Sequence, residues 1–347
     1  MPNSRKLVIP MNKIMVFDST LRDGSHANKH QFTEQQISSY CSSMDEAGMD
    51  VIFVGHGNGL GASSSQIGFS LVDEMQMLQV ARKHLKKTML GAYLIPGFGT
   101  IRDQISKAVD LGVDVFEIGC HCTEADISEE HINYIIQRQK KAYGTLMMFH
   151  MASPDVILEN AKRMESYGAD GVILMDSAGA STNDMVTEYT ELLTEHLSIP
   201  VGFHAHNNLG LAVANTYTAL ENGAQIIDGT LRGYGAGAGN CQLEAICALL
   251  HKKGWDSMID IDFFQLLKKS DQIMDDIMHE PMGISPLSIA SGVAGVFSAF
   301  KEHALKAGHA FKVDPKEILL EVGKRKAVGG QEDIIIQIAS ELSETKE

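Results

Sequence analysis

No stretch of this chain reaches the roughly 18 uninterrupted apolar residues that a membrane-spanning helix needs. The opening segment, Met1 to Met11, is too short and too polar for a signal peptide. Clustered cation is missing as well: 29 Lys and Arg stand against 44 Asp and Glu, a formal net charge of -15, which argues against a nucleic-acid or anionic-membrane partner. Cysteine is sparse. The five present, Cys41, Cys120, Cys122, Cys241 and Cys247, are odd in number and widely spaced, which suits reduced thiols rather than a disulfide framework and makes the cytoplasm the expected compartment. An anionic substrate on so acidic a chain must have its charge met locally, by Arg22 and a metal ion.

What is present is an ordinary enzyme-like composition, 44% hydrophobic and 21% charged, in a length that suits one barrel of about 250 residues with an appendage. From residue 14 the chain alternates apolar runs with amphipathic segments. Eight strands are expected, at Ile14 to Leu21, Val51 to His56, Thr88 to Ile95, Val113 to His121, Thr145 to Met151, Gly171 to Ser177, Val201 to His206 and Gln225 to Leu231. The helices between them end at Ala47-Gly48, Leu111-Gly112, Tyr167-Gly168 and Asn222-Gly223, where glycine takes the left-handed cap. Eight βα units close a TIM barrel. The fold class expected is therefore α/β, a (β/α)8 barrel over 14–255 with a C-terminal α-helical region, 256–347, in which Phe263 to Met278, Ile289 to Lys306, Pro315 to Val322 and Asp333 to Leu342 read as helices without strands between them.

Two stretches carry the chemistry. Arg22, Asp23 and His26 follow the first expected strand, and His204 and His206 end the seventh. A strand repeats with period two, so the two imidazoles face the same way and can grip one ion, with Asp23 as the oxygen ligand. Two histidines and one carboxylate leave coordination positions open, the mark of a catalytic rather than a structural metal site. Arg22 and His26 are candidates for chemistry beside the ion. Both stretches fall on the C-terminal rim of the barrel, where TIM-barrel enzymes work. Each has a plainer reading: Asp23 as a turn cap before Gly24-Ser25, and Arg22 in an ion pair with Asp18 or Glu117.

Further candidates lie on the same rim. Ser177 offers a hydroxyl for a substrate carboxylate, with a turn-capping role as the rival reading. Asn240 closes the glycine-rich run Arg232 to Asn240, which follows strand eight rather than opening a dinucleotide-binding unit; there it could face the ion or its water. Cys120-His121-Cys122 ends strand four; without a second Cys or His pair close in sequence, His121 is better read as lining the pocket than as part of a zinc site. None of the eight expected strands holds a lysine for Schiff-base chemistry, so carbon-carbon cleavage beside a carbonyl would need a metal as electron sink.

At these residues the sequence resembles the 4-hydroxy-2-oxovalerate aldolases, metal-dependent pyruvate aldolases of the metallolyase group on TIM barrels. The likeness is carried by Thr20-Leu21-Arg22-Asp23-Gly24-Ser25-His26, His121 to Asp126, Asp176-Ser177, His204 to Leu209, Gly235 to Asn240 and Val328 to Asp333. It implies a class II aldolase, a lyase that splits a 4-hydroxy-2-oxo acid into pyruvate and an aldehyde. Asp23, His204 and His206 would hold Mn2+, or Mg2+ or Co2+ in its place. His26 would be the base at the C4 hydroxyl and Arg22 the stabiliser of the enolate, with Arg22, Asp23, Ser177 and His204 against the substrate. It also implies an oligomer and an acylating aldehyde dehydrogenase as partner. A Claisen-type synthase joining an acyl-CoA to a 2-oxo acid, or a non-catalytic scaffold for the dehydrogenase, are the competing readings. One departure stands out: where the family has tyrosines in Gly-Tyr-Ala-Gly-Val-Tyr, this chain has Gly292-Val293-Ala294-Gly295-Val296-Phe297. A pocket wall without those hydroxyls is expected to alter the aldehyde half of the substrate.

Overall fold

A computed structural model of the chain describes residues 13–345; the expectation for Met1 to Met11 and the last two residues of the C-terminal region lie outside the described residues. Eight strands, β1 (Met15–Leu21), β2 (Val51–Val54), β3 (Met89–Leu94), β4 (Val115–His121), β5 (Lys141–Met147), β6 (Gly171–Asp176), β7 (Val201–Ala205) and β8 (Ile226–Gly229), close in sequence order into one barrel. Every neighbouring pair is parallel, β8 returning to β1. The helices α1 (Glu34–Ala47), α2 (Glu74–His84), α3 (Ser106–Asp110), α4 (Glu129–Gln137), α5 (Pro154–Ser166), α6 (Asn183–His196), α7 (Ala212–Glu221) and α8 (Leu243–Lys253) follow the strands one by one. The glycines expected to stop four of the helices, 48, 112, 168 and 223, all have positive φ.

Strand periodicity sorts side chains into two cores. Phe17, Phe53, Tyr93, Tyr143, Ile173 and Ile226 fill the barrel interior, while Val16, Ile52, Phe116, Leu174, Phe203 and Ile227 pack outward under the helices. One step further along the same inward rows the residues turn polar, as Ser19, Glu117, Thr145, His204 and Asp228, all fully buried. The apolar lower half thus sets the height at which the chemistry begins.

Two sequence expectations are corrected. Strand five occupies Lys141–Met147 instead of Thr145 to Met151, because Met148 takes a left-handed conformation (φ 56) and Phe149–Met151 coil into a 3-10 turn. A lysine therefore does begin a strand, but Lys141 is exposed and pairs with Val115 at the end of the barrel away from the rim. The single helix expected over Ile289 to Lys306 is two, α10 (Pro286–Ala294) and α11 (Phe300–Phe311), separated at Gly295, whose φ of 64 caps α10.

Beyond α8, α9 (Phe263–Ile277) sends Leu266, Ile273, Met274 and Ile277 into the core shared by the barrel helices and packs on α1 and α8. A separate core joins α10 and α11 to α12 (Pro315–Lys324) and α13 (Asp333–Glu344), through Val296, Phe300, Ile318, Leu319, Val322 and Ile338. Each such side chain contributes about 1.5–3 kcal/mol by leaving water, so this small core is what binds the four helices to one another. No helix among the described residues is long and apolar enough to cross a membrane.

Candidate active site

The rim of the barrel gathers Asp23, His204 and His206. After β1 the backbone turns at once into a short 3-10 segment, Asp23–His26, which tips Asp23 inward. His204 lies on β7 and His206 just beyond it, both in the inward row, with ring centroids 5.2 Å apart. One ligand atom from each of the three residues lies within 4.8 Å of the others. All three side chains are buried.

Two buried ring nitrogens here have no hydrogen-bond partner, His204 Nε2 and His206 Nδ1. An unsatisfied buried polar atom costs about 1–3 kcal/mol, and two side by side call for a ligand. On His204 the other nitrogen, Nδ1, lies 2.7 Å from Asp228 Oδ2; a carboxylate there accepts the Nδ1 proton and leaves the Nε2 lone pair free to bind an ion. Burial disfavours the imidazolium of His204, but the charge and hydrogen bond of Asp228 outweigh it and raise the pKa. His206 has no such partner, and burial depresses its pKa to about 4 despite the pull of Asp23. Burial would also raise the pKa of Asp23, yet His206 and Arg22 beside it bring it well below the usual carboxylate range. The set is one carboxylate and two imidazoles with free lone pairs, which fits a divalent transition ion.

Around it stands a second layer. Asp23 Oδ1 accepts from Arg22 at 3.0 Å, and its Oδ2 accepts from Asn240 Nδ2 at 2.8 Å and from the Ala236 amide at 3.2 Å. The glycine-rich run folds over the mouth: a methyl group on Gly235 would sit 2.6 Å from both Asp23 Oδ2 and Asn240 Oδ1. Arg22 pairs with Asp23 and, at 3.8 Å, with Asp228, and its guanidinium lies 4.5 Å from the centre of the Tyr93 ring. Asp18 accepts instead from Thr20 and Tyr40, and Glu117 from Thr145.

His26 is part-buried at the edge of the site, edge-on to His30 at 5.2 Å, with His30 stacked on His56 at 3.6 Å. Burial lowers the pKa of His26 against the opposing pull of Asp23, so it stays a neutral base at neutral pH. Ser177 is fully buried; its hydroxyl accepts from the Met148 amide at 3.3 Å. Asn240 reaches Asp23 directly. His121 is drawn aside, its Nδ1 2.8 Å from Thr123 Oγ1. Val293 is 67% exposed and lines an open groove with Glu317, Leu320 and Lys324, while Phe297 packs on the small helical core.

Residues 13–273 match the HMGL-like family and residues 282–344 the DmpG-like communication domain. The chain is 47% identical over 335 residues to the 4-hydroxy-2-oxovalerate aldolase of Pectobacterium atrosepticum, covering 96% of this chain and 97% of that protein. It is also 47% identical over 339 residues to the one from Pelotomaculum thermopropionicum, covering 98% and 99%. The chain belongs to the 4-hydroxy-2-oxovalerate aldolase family. At the level of fold alone it is also similar to the carboxyl transferase domain of Rhizobium etli pyruvate carboxylase, with a TM-score of 0.80 at 14% identity over 96% of this chain and 60% of that one.

Within this aldolase-family barrel, two neighbours of the candidate site escaped sequence reasoning. Asp228 is the partner of His204, and also accepts from Ser19 at 2.7 Å. Tyr93 lies over Arg22. A signal for Asp228 exists only in register: it stands opposite His204 in the β7–β8 pairing, a carboxylate in an otherwise apolar strand.

Proposed function

We propose that this chain cleaves a 4-hydroxy-2-oxo acid between C3 and C4, releasing pyruvate and an aldehyde. The observation that carries this reading is the meeting of Asp23, His204 and His206 at the barrel mouth with two buried imidazole nitrogens left without partners. These three residues would hold a divalent ion, Mn2+ in this reading, whose chemistry is to withdraw electron density from the 2-oxo carbonyl and spread the charge of an enolate. His26 takes the proton from the C4 hydroxyl. The O–H electrons become the aldehyde carbonyl, the C3–C4 pair passes into the pyruvate enolate, and protonation at C3 completes the product. Arg22 is fixed by Asp23, Asp228 and Tyr93, so its charge is in place before the enolate oxygen develops. Ser177 orients the substrate carboxylate.

Five free and buried thiols suit the cytoplasm. For the partner, residues 282–344 match the DmpG-like communication domain and expose Ile284, Ile289, Val293 and Ile336, which supports docking of an aldehyde dehydrogenase on this region.

The test is a panel of 4-hydroxy-2-oxo acids of different chain lengths, assayed for pyruvate with metal-stripped and Mn2+-reloaded protein. Pyruvate release that returns with metal is expected. Absence of pyruvate from every member, or release of CoA from an acyl-CoA and a 2-oxo acid instead, would overturn the reading.

A further inference from the structure

The turn between α10 and α11, together with the start of α11, touches four of the loops at the barrel mouth. Gly295 O lies 3.2 Å from His150 Nε2, after β5. The Ser298 amide and hydroxyl both donate to Ser177 O, at 3.0 and 2.7 Å, after β6. Asn208, after β7, donates from Nδ2 to Ser298 Oγ at 2.8 Å. Lys301 Nζ donates to Gly237 O at 3.4 Å, after β8.

Asn208 is the node of this arrangement. It is fully buried, two residues past His206. Besides Ser298 its amide donates to Ala178 O at 2.9 Å, and its Oδ1 accepts from the Ala238 amide at 3.0 Å. Backbone crowds it from two other segments: a methyl group on Gly237 would stand 2.6 Å from Oδ1, and one on Gly292, in α10, 3.2 Å from its Cβ. The amide therefore has one orientation. The loops it joins carry His206 and the groups that hold Asp23: His206 bridges to Asn240, Asn207 donates to Gly239 O at 2.8 Å, and Ala236 and Asn240 hold Asp23.

We propose that Asn208 and Ser298 are positioning residues, a clasp through which the C-terminal helices fix the loops bearing His206 and the grip on Asp23. The barrel alone supplies the ligands; the helical region sets their spacing. This rests on the aldolase reading for its activity readout, and on metal binding independently of it.

The full chain is compared with Ser298→Ala, Asn208→Asp and the double variant. Stripped protein is titrated with Mn2+ alone, and kcat, KM and thermal midpoint are measured. Asn208→Asp keeps the acceptor for Ala238 but ends donation to Ser298 and Ala178. Ser298→Ala is expected to weaken Mn2+ binding and kcat/KM each by roughly 5- to 30-fold, with a nearly unchanged thermal midpoint, and excess Mn2+ recovers part of the activity. The double variant loses less than the product of the single losses, because the two side chains share the hydrogen bond that both substitutions remove. Wild-type Mn2+ affinity in Ser298→Ala, or single losses that multiply in full, would overturn the clasp. If the unmodified chain yields no pyruvate, the aldolase reading fails, and the Mn2+ titrations alone decide the clasp.

Discussion

Two strand ends in this barrel carry metal-like triplets, Cys120-His121-Cys122 on β4 and His204-Ala205-His206 on β7, and only the second delivers ligands to a common point. The difference is parity. On β4 the inward row is Glu117, Gly119 and His121, so both thiols face the helices and pack into the outer core. Burial there pushes the Cys122 thiol up to about 12, far from the thiolate a metal needs, and the one inward residue, His121, is engaged by Thr123. On β7 the inward positions are the two histidines, and Ala205 takes the outward place. A ligand motif on a strand is thus read by which face its odd and even members occupy, and by whether a third ligand stands across the barrel.

The largest effect that sharpens this contrast is His204→Ala. It is expected to abolish bound Mn2+, measured by metal analysis after dialysis, and to lower kcat/KM beyond the roughly 10–100-fold typical of losing an outer partner; retention of stoichiometric metal would break the comparison. His26→Ala should cost about 10²–10⁴-fold in kcat with metal content intact, and equal metal loss in both variants would erase the separation of roles. Next, Asp228→Asn removes the acceptor that fixes the His204 ring, so Mn2+ affinity by calorimetry should fall about 10–100-fold. The pH profile is a gentler probe. Protonation removes the base, so activity falls as pH drops through the folded pKa of His26. Because burial holds that pKa below its ordinary 6.5, the acid limb of kcat/KM should have its midpoint below 6.5; a midpoint above it would point to another base. Smallest of all, Cys122→Ala should leave metal stoichiometry unchanged and shift stability by about 1 kcal/mol; metal loss in that variant would revive the β4 triplet as a site.

Much of this was legible in the sequence because parallel strands buried on both faces appear as apolar runs, and because a ligand pair at i and i+2 needs no tertiary knowledge. Strand five was displaced since Lys141-Ala142-Tyr143-Gly144 lacks such a run, while Met147 to Phe149 continues one past the strand's end. Asp228 was hidden for another reason: its value depends on standing beside His204 in the sheet, which only register provides. Asn208 and Ser298 are 90 residues apart in sequence, and neither type carries a periodicity that could announce their contact. Val293 shows the opposite failure. Its place in a family-like motif suggested a pocket wall, yet its side chain is turned to solvent.

The arrangement of the two hydrophobic cores has one more implication. Because α9 completes the layer around the barrel while α10 to α13 cluster on a core of their own, most of the barrel's apolar packing is in place before α10 begins. The proposed clasp on the mouth loops lies later, at Ser298. Autonomy of folding and autonomy of function would then end at different residues, and a trimmed protein could be sound as an object and idle as a catalyst.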